Sequence, residues 1–174
     1  MKNKNVIQVR QATSDDAYSI AKVHVLSWLS AYKEIVPKDY LENLSIEEKS
    51  KKLKNYIENS QKVTFYIAVM NQNVIGFLAM REEFYEDEIA HVEIEGIYFL
   101  EEYWGNGYGK ELLNYAFSSI VARQIPIVTL WVLEENQRAR NFFSNCGLTF
   151  SGEVKICTIG RDLKLLKYLK MLTV

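Results

Sequence analysis

The chain has 174 residues, of which 48% are hydrophobic, and its 21 basic and 22 acidic residues give a net charge of −1. This length suits one well-buried core, so we expect a single domain over residues 1–174 rather than two. The balanced charge and the lack of a basic, aromatic-rich face argue against nucleic-acid binding, and no apolar run approaches the roughly 18 residues of a membrane span.

The first third of the chain has one strand pattern followed by three helix patterns. Val6–Gln11 reads as a strand, and no secretion signal precedes it. Thr13 or Ser14 is suited to cap a helix whose first turn is acidic and whose apolar residues recur at helical spacing. Pro37 is placed to start a short helix, and Ser45 begins a capping box for a helix that runs to about Asn59.

The middle of the chain predicts three consecutive strands. Val63–Met70 and Val74–Met80 form a hairpin around the polar turn that begins at Asn71. Gly76 interrupts the second of these strands, which indicates a bulge or a close approach to another part of the backbone. A long fourth strand is predicted over Glu88–Leu100, and together these patterns indicate an antiparallel sheet.

The fourth strand leads into a glycine-rich turn and then a helix, in the segment IYFLEEYWGNGYGKELL (Ile97–Leu113). Glycines at 105, 107 and 109 let the backbone turn tightly and approach a ligand without an intervening side chain. The helix adds free N–H groups and the positive end of its dipole, which together favour a phosphate. The segment therefore predicts a binding site for a phosphorylated ligand.

Two common phosphate-binding loops do not fit this spacing. A P-loop would need a glycine at the position of Trp104 and a hydroxyl residue at the position of Glu111. The dinucleotide fingerprint would need a glycine at the position of Lys110. Neither nucleotide-dependent phosphoryl transfer nor dinucleotide binding is favoured.

A second motif follows the helix predicted at Tyr108–Arg123 and the strand predicted at Pro126–Leu133. It reads NQRARNFFSNCGL and spans Asn136–Leu148. With the xxxGxG turn, it resembles the N-x-x-A-x-x-F-Y-x-x-x-G-F and [QR]-x-x-G-x-[GA] motifs of the GNAT superfamily of N-acetyltransferases. Two closing strands, about Leu148–Ile156 and Leu163–Leu172, complete an element order that is also similar to that family.

The resemblance implies the GNAT fold, an α/β (α+β) domain with a mixed, mostly antiparallel seven-stranded sheet and about four helices. Its fourth and fifth strands run parallel and splay apart, and the pantetheine arm of acetyl-CoA lies in the gap. No metal is implied. Carried onto this sequence, free backbone groups of the fourth strand hold the pantetheine, the glycine turn holds the pyrophosphate, and the second motif flanks the thioester. The strand residues are Ile97, Tyr98 and Phe99. The turn residues are Gly105, Asn106, Gly107, Tyr108, Gly109 and Lys110, and those of the second motif are Asn136, Asn141 and Phe143.

Two glutamates are candidates for the base that removes a proton from the acceptor amine. Glu93 and Glu95 alternate on the fourth strand, so they are expected to share a face. Relatives often carry the base on this strand, and a carboxylate there could collect the proton directly or through water. Glu95 is the first choice and Glu93 the second, the alternative being that both are ordinary surface residues. A backbone N–H near Ile97 would stabilise the oxyanion.

The sequence departs from the family at two positions. Phe143 stands where relatives often have a tyrosine that protonates the leaving thiolate. Either no acid is needed, because a thiol of pKa about 8.5 is a tolerable leaving group; or Tyr98, Tyr103 or Tyr108 supplies the proton; or the site does not turn over. Trp104 replaces the usual Gln or Arg, and its indole is expected to cover the adenine end or to pack.

The acceptor is expected to be a primary amine of a small molecule or a peptide. The segment SWLSAY resembles the first helix of a bacterial transferase subgroup, which makes Trp28 and Tyr32 candidate acceptor contacts. The acidic run at 82–88 could attract a cationic amine, so a polyamine-like acceptor is favoured. The alternatives are protein N-terminal acetylation and a non-catalytic acyl-CoA sensor. The resemblance also suggests a homodimer.

The histidines and cysteines are not expected to have catalytic or metal-binding roles. His24 and His91 are interpreted as surface or core imidazoles rather than catalysts. Cys146 and Cys157 lack metal-binding spacing and fit a reduced, cytoplasmic location.

Overall fold

The computed structural model describes residues 6–83 and 90–174. In these residues one seven-stranded sheet has the order β1-β2-β3-β4-β5-β7-β6. The strands are β1 (Gln8–Gln11), β2 (Val63–Met70), β3 (Asn73–Glu83), β4 (His91–Phe99), β5 (Ile127–Leu133), β6 (Thr149–Thr158) and β7 (Asp162–Met171). The helices are α1 (Ala17–Ala31), α2 (Lys38–Glu42), α3 (Ile46–Asn59), α4 (Tyr108–Ala122) and α5 (Gln137–Asn145).

The expected fold is confirmed, including the divergence of the fourth and fifth strands. β4 and β5 are parallel, whereas the other neighbouring strands are antiparallel. Their pairing covers only His91–Ile94 with Ile127–Leu130. Beyond it, β4 continues along β3 and β5 continues along β7. The second half of β4 therefore has an edge without a neighbouring strand.

Side-chain caps set the helix ends much as the sequence indicates. The Ser45 hydroxyl accepts a hydrogen bond from the Glu48 amide at 3.2 Å, and Pro37 directly precedes α2. The first helix differs, because a 3-10 turn over Ser14–Asp16 comes before α1. Here Asp16 accepts the Thr13 amide at 2.9 Å and also pairs with Arg10, which tightens the first turn.

The sheet has two covered faces, each with its own apolar core. Below α4 and α5, the core includes Ile94 of β4 and Leu112, Leu113, Ala116 and Phe143 of the helices. On the opposite face, α1 and α3 cover a second core that includes Ile20, Val23, Leu53 and Phe77. We call these the α4 face and the α1 face.

A bulge in β4 changes which residues point to each face. Ala79 pairs with Gly96 and Met80 with Ile94, so Glu95 is an extra residue without its own partner on β3. Ile94 packs in the core of the α4 face, and so does Ile97 three positions later. Alternation holds through Glu95 and breaks between Glu95 and Gly96, so Glu93 and Glu95 still share the α1 face, as expected, whereas the residues after them change parity.

Gly76 lies beside a bulge, which is one of the two expectations for it, and its close contact is with a side chain rather than with backbone. The register between β2 and β3 shifts beside its partner Ala68. A Cβ atom at Gly76 would lie 2.4 Å from the Phe99 ring, so only glycine leaves room for that ring. This contact holds Phe99 at the end of β4, where the strand edge is open.

Candidate active site

The open edge of β4 presents the backbone groups of Ile97 and Phe99. The Leu100 amide donates to the Ile75 carbonyl at 3.0 Å, which makes this pair a hydrogen-bonded pair of the ladder. Because hydrogen-bonded and non-hydrogen-bonded positions alternate in antiparallel strands, Tyr98 bonds to β3 while its two neighbours face away from β3. The backbone of Tyr98 therefore does not belong to the free set that the sequence indicated.

Trp104 closes part of this edge. Its indole Nε1 donates to the Phe99 carbonyl at 2.7 Å. The Arg138 guanidinium lies 3.2 Å from the centre of the Trp104 ring, in a cation–π contact. The indole is therefore packed rather than exposed, and it occupies the Phe99 carbonyl. The backbone groups that stay available at this edge are the N–H and C=O of Ile97 and the N–H of Phe99.

The glycine turn adopts the conformation that its composition requires. Gly105 and Gly107 have φ values of 77° and 84°, in the left-handed region that side chains disfavour. Gly107 is the N-cap of the 15-residue helix α4, so the first amides of that helix have no partner within it. These amides and the helix dipole make an anion site at the end of the open edge.

A cavity of about 440 Å³ connects the open edge to the glycine turn. We call it the turn cavity. Most of the residues expected to bind the cofactor line it: Ile97, Phe99, Gly105, Gly107, Tyr108, Gly109, Lys110, Asn141 and Phe143. Arg138, Phe142 and Asn145 also line it, and of these the sequence analysis did not single out Arg138 and Asn145.

Three of the expected cofactor residues lie outside this lining. The Asn106 side chain donates to the Trp104 carbonyl at 3.2 Å, which stabilises the turn. Asn136 caps α5 by accepting the Ala139 amide at 3.1 Å. The Tyr98 side chain points to the α1 face, where it packs with Phe77 at a ring distance of 5.4 Å.

A second cavity, of about 560 Å³, lies on the α1 face. We call it the helix cavity. Glu95, Gly96 and Tyr98 of β4 line it, together with His24 and Trp28 of α1 and Lys49 and Lys52 of α3. Tyr32 is not part of the lining but packs edge-on against Trp28 at 4.8 Å. The two cavities thus use opposite faces of the same open segment of β4.

The Tyr98 hydroxyl lies over the backbone of its own strand. A Cβ atom at Gly96 would fall 2.4 Å from the Tyr98 ring and 3.1 Å from its hydroxyl oxygen. Burial raises the pKa of Tyr98, and Trp28 and Tyr32 nearby oppose part of that shift. Burial also raises the pKa of Tyr32, while the Asn136 side chain opposes it. Both phenols therefore keep their protons at neutral pH.

Glu95 is held by an arginine but keeps one oxygen available. Arg81 Nε donates to Glu95 Oε1 at 2.8 Å, and its NH2 group contacts the same oxygen. Oε2 has no hydrogen-bond partner within residues 6–83 and 90–174. Glu93 faces Arg81 across the strands but lines neither cavity.

His24 is neutral and has a buried nitrogen without a partner. Burial, with a smaller contribution from the charge of Lys49, lowers the pKa of His24 to about 3. Its ring stacks on Trp28 at 5.1 Å and meets Tyr98 at the same distance. Nδ1 is buried and makes no hydrogen bond with the described residues.

The lowered pKa of His24 predicts a loss of stability in acid. Below pH 6.5 the unfolded chain protonates this residue while the folded chain does not, down to about pH 3. The free energy of unfolding should therefore fall by about 1.4 kcal/mol per pH unit from this residue alone. Urea unfolding of the wild type and of His24→Asn at pH 7.5 and pH 5 measures it. The variant should lose less stability on acidification, and equal losses would contradict the prediction.

The described residues include no group of three histidine, cysteine or acidic side chains placed to hold a metal ion. None of the helices in this part of the chain is long and apolar enough to cross a membrane. Cys146 is buried and Cys157 is partly buried, and both are free thiols.

Comparison with known proteins gives consistent matches. The model of the acetyltransferase (GNAT) family matches residues 25–148. An uncharacterised N-acetyltransferase, YuaI of Bacillus subtilis, is 34% identical over 131 residues, which are 75% of this chain and 74% of that protein. An uncharacterised N-acetyltransferase of Archaeoglobus fulgidus is 25% identical over 144 residues, covering 80% of this chain and 90% of that protein.

Solved structures share the fold over nearly the whole chain. The PaiA N-acetyltransferase of Thermoplasma acidophilum, solved in complex with coenzyme A, is 25% identical with a TM-score of 0.78 and covers 96% of this chain and 99% of its own. A probable acetyltransferase of Staphylococcus epidermidis, 18% identical, has a TM-score of 0.77 over 97% of this chain and all of its own.

Proposed function

Because this chain belongs to the GNAT acetyltransferase family and is an acetyl-CoA-dependent N-acetyltransferase, we propose that it acetylates a primary amine by direct attack in a ternary complex. The observation that carries this proposal is the pair of cavities on opposite faces of the open segment of β4. One has an anion site at its end, and the other contains a carboxylate with a free oxygen.

The turn cavity is assigned to acetyl-CoA. The amides of Gly105 to Lys110 hold the pyrophosphate, and the Lys110 ammonium adds charge. The backbone groups of Ile97 and the Phe99 amide pair with the pantetheine, while Asn141 and Phe143 flank it. Asn106 contributes by stabilising the glycine turn, and Asn136 contributes by capping α5. Tyr98 contributes through its side chain rather than its backbone.

Glu95 is assigned as the base, ahead of Glu93. An alkylamine of pKa about 10.4 is almost entirely protonated at neutral pH and cannot attack a carbonyl in that form. Glu95 Oε2 accepts the proton, directly or through water, while Arg81 fixes Oε1. The amine nitrogen then bonds to the thioester carbon, the carbon–sulfur bond breaks, and the second proton lost from the nitrogen neutralises the departing CoA thiolate through solvent. The Ile97 amide points into the gap, where it stabilises the oxyanion.

Phe143 offers no proton to the leaving thiolate, and the tyrosines considered in its place lie in different parts of the site. Of the three tyrosines considered, Tyr103 and Tyr108 line the turn cavity, and Tyr98 lies on the α1 face with Tyr32 close by. Departure of a thiol of pKa about 8.5 does not depend on an acid. Tyr98 is therefore assigned a hydrogen-bonding role at the acceptor side, with Trp28 and Tyr32 as acceptor contacts.

The acceptor proposed here is a small-molecule primary amine, with a peptide amine as the alternative. Support for a polyamine came from the acidic run at 82–88, of which 84–88 lie outside the described residues. Of the remaining two acids, Glu82 pairs with Arg123 and Glu83 lies 3.4 Å from His91 Nε2. These two carboxylates are engaged within the fold, so the acidic run gives a polyamine no support from the described part of the chain.

Release of the CoA thiol tests the activity directly. Acetyl-CoA should lose its acetyl group in the presence of one class of amine among polyamines, aminoglycosides, amino acids and short peptides, followed with a thiol reagent. Binding of acetyl-CoA is measured in parallel by calorimetry. Binding without turnover by any amine would favour a non-catalytic acyl-CoA sensor, the reading that Phe143 supports. Absence of acetyl-CoA binding would contradict both.

A further inference from the structure

We propose that the acceptor amine carries an anionic group, a carboxylate or a phosphate, which the helix cavity binds through Lys49 and Lys52. This proposal rests on the assignment of the helix cavity to the acceptor. It names the chemical class of the acceptor, which neither the fold nor the family determines.

Within the described residues, the cationic side of the helix cavity has no acid to balance it. Lys49 and Lys52 lie one turn apart on α3 and both line the cavity. Neither forms an ion pair with any carboxylate in the described ranges 6–83 and 90–174. Burial and the neighbouring Lys52 charge lower the pKa of Lys49. An anion placed between the two ammonium groups would relieve both effects.

Two neutral ring nitrogens in the same cavity, one of Trp28 and one of His24, are also available to hydrogen-bond a ligand. Trp28 Nε1 is buried, and its one nearby acceptor among the described residues is the Tyr98 hydroxyl, which it approaches without a well-formed hydrogen bond. An indole N–H can only donate, so it requires an acceptor atom. His24 Nδ1 is equally buried and unpaired. Carboxylate and phosphate oxygens are acceptors with several lone pairs, and they suit a cavity that offers an N–H and two ammonium groups.

Among the described residues, the one acid that lines the cavity lies on the strand side. Glu95 belongs to β4, whereas the lysines belong to the helix that covers the opposite wall. Its charge is already balanced by Arg81, so the cavity is cationic overall. A polycation would meet repulsion from two lysines, and this repulsion is stronger in a cavity that excludes water than in bulk water. An amine with an anionic end can instead place its nitrogen at Glu95.

Matched pairs of amines test the charge requirement. Initial rates of CoA thiol release are compared for an α-amino acid and its carboxamide, and for phosphoethanolamine and ethanolamine, with spermidine as the polycation. The anionic member of at least one pair should have a kcat/KM at least tenfold higher than its neutral counterpart. The pair that shows the effect distinguishes a carboxylate from a phosphate. Spermidine or the neutral amines reacting equally well or better would overturn the proposal.

A double variant tests the residues. K49Q/K52Q should raise KM for the anionic amine at least tenfold with little change in kcat, and should leave the neutral counterpart unaffected. K51Q/K54Q removes two exposed lysines from the same helix that do not line the cavity, and should leave both substrates unaffected. Equal KM values in K49Q/K52Q and the wild type would overturn the assignment, and circular dichroism checks that α3 is retained.

A binding measurement separates this proposal from the proposed activity. With the protein saturated by CoA, an anionic amine should raise Tm in the wild type and in K51Q/K54Q but not in K49Q/K52Q. That result without any turnover would contradict the transferase activity and keep the anion site. Turnover of neutral amines only, with no shift in Tm from anionic amines, would support the transferase activity and contradict the anion site.

Discussion

Glu95→Gln is expected to lower kcat/KM about 10²- to 10⁴-fold at neutral pH, the usual contribution of a positioned base. Glutamine keeps the size of the side chain and can still accept from Arg81, but its amide cannot take the proton of the amine. Binding of acetyl-CoA should be unchanged, since Glu95 lines the helix cavity and not the turn cavity. Steady-state rates with the best amine, together with calorimetry for acetyl-CoA, measure the two effects.

Two matched variants show whether the loss is specific to Glu95. Glu93→Gln removes the other candidate carboxylate from the same strand, and its loss of activity should be much smaller. Glu153→Gln breaks an ion pair with Lys167, 3.0 Å away on the outer strands, and controls for the loss of a surface ion pair. A larger effect of Glu93→Gln than of Glu95→Gln would exchange the two assignments. Full activity in both Glu93→Gln and Glu95→Gln would show that the base does not lie on β4.

Gly107→Val is expected to raise the Kd for acetyl-CoA at least tenfold, about 1.4 kcal/mol in binding free energy. Gly107 has φ 84° and caps α4, and a β-branched residue adopts this conformation only with strain of about 1–2 kcal/mol. The chain would relieve the strain by turning the peptide groups around Gly107, and the amides assigned to the pyrophosphate would lose their common direction. Calorimetry with acetyl-CoA measures the binding, and urea unfolding measures the strain.

Gly152→Val is the control for strain alone. Gly152 has φ 92°, and a Cβ atom there would meet nothing within 4 Å. It lies in β6, outside the lining of both cavities. The two variants should lose similar stability, but only Gly107→Val should lose affinity for acetyl-CoA. Equal affinities in the two variants would contradict the assignment of the turn to the pyrophosphate.

Local signals predicted the elements of the fold well because each end has a residue with a specific role. Ser45 caps α3 and Pro37 precedes α2, as their patterns indicated, whereas Asn136 was assigned to the cofactor and is seen to cap α5. The glycine turn and the start of α4 at Tyr108 were equally evident, since positive φ values at a strand-to-helix junction require glycine. Family resemblance supplied the splay of β4 and β5, which no local pattern encodes.

Features that depend on contacts between distant residues could not be predicted in this way. The bond from Trp104 to the Phe99 carbonyl requires the turn to fold back on its own strand. Lys49 and Lys52 look like ordinary solvated positions of a helix, and only the packing of α3 over the sheet makes them walls of a cavity. Arg81 reaches Glu95 because a bulge displaces that glutamate, and a bulge has no signature in a strand with regular composition.

The bulge at Glu95 has a consequence for the numbering of β4. Before it, even-numbered residues, Val92 and Ile94, pack on the α4 face, and after it odd-numbered residues, Ile97 and Phe99, do so. Deleting one residue here would remove the bulge and restore a single parity along the strand, with Tyr98 still on the α1 face. A related chain that is one residue shorter in this strand should therefore be aligned with its gap at position 95, because a gap placed elsewhere would exchange the residues of the two cavities.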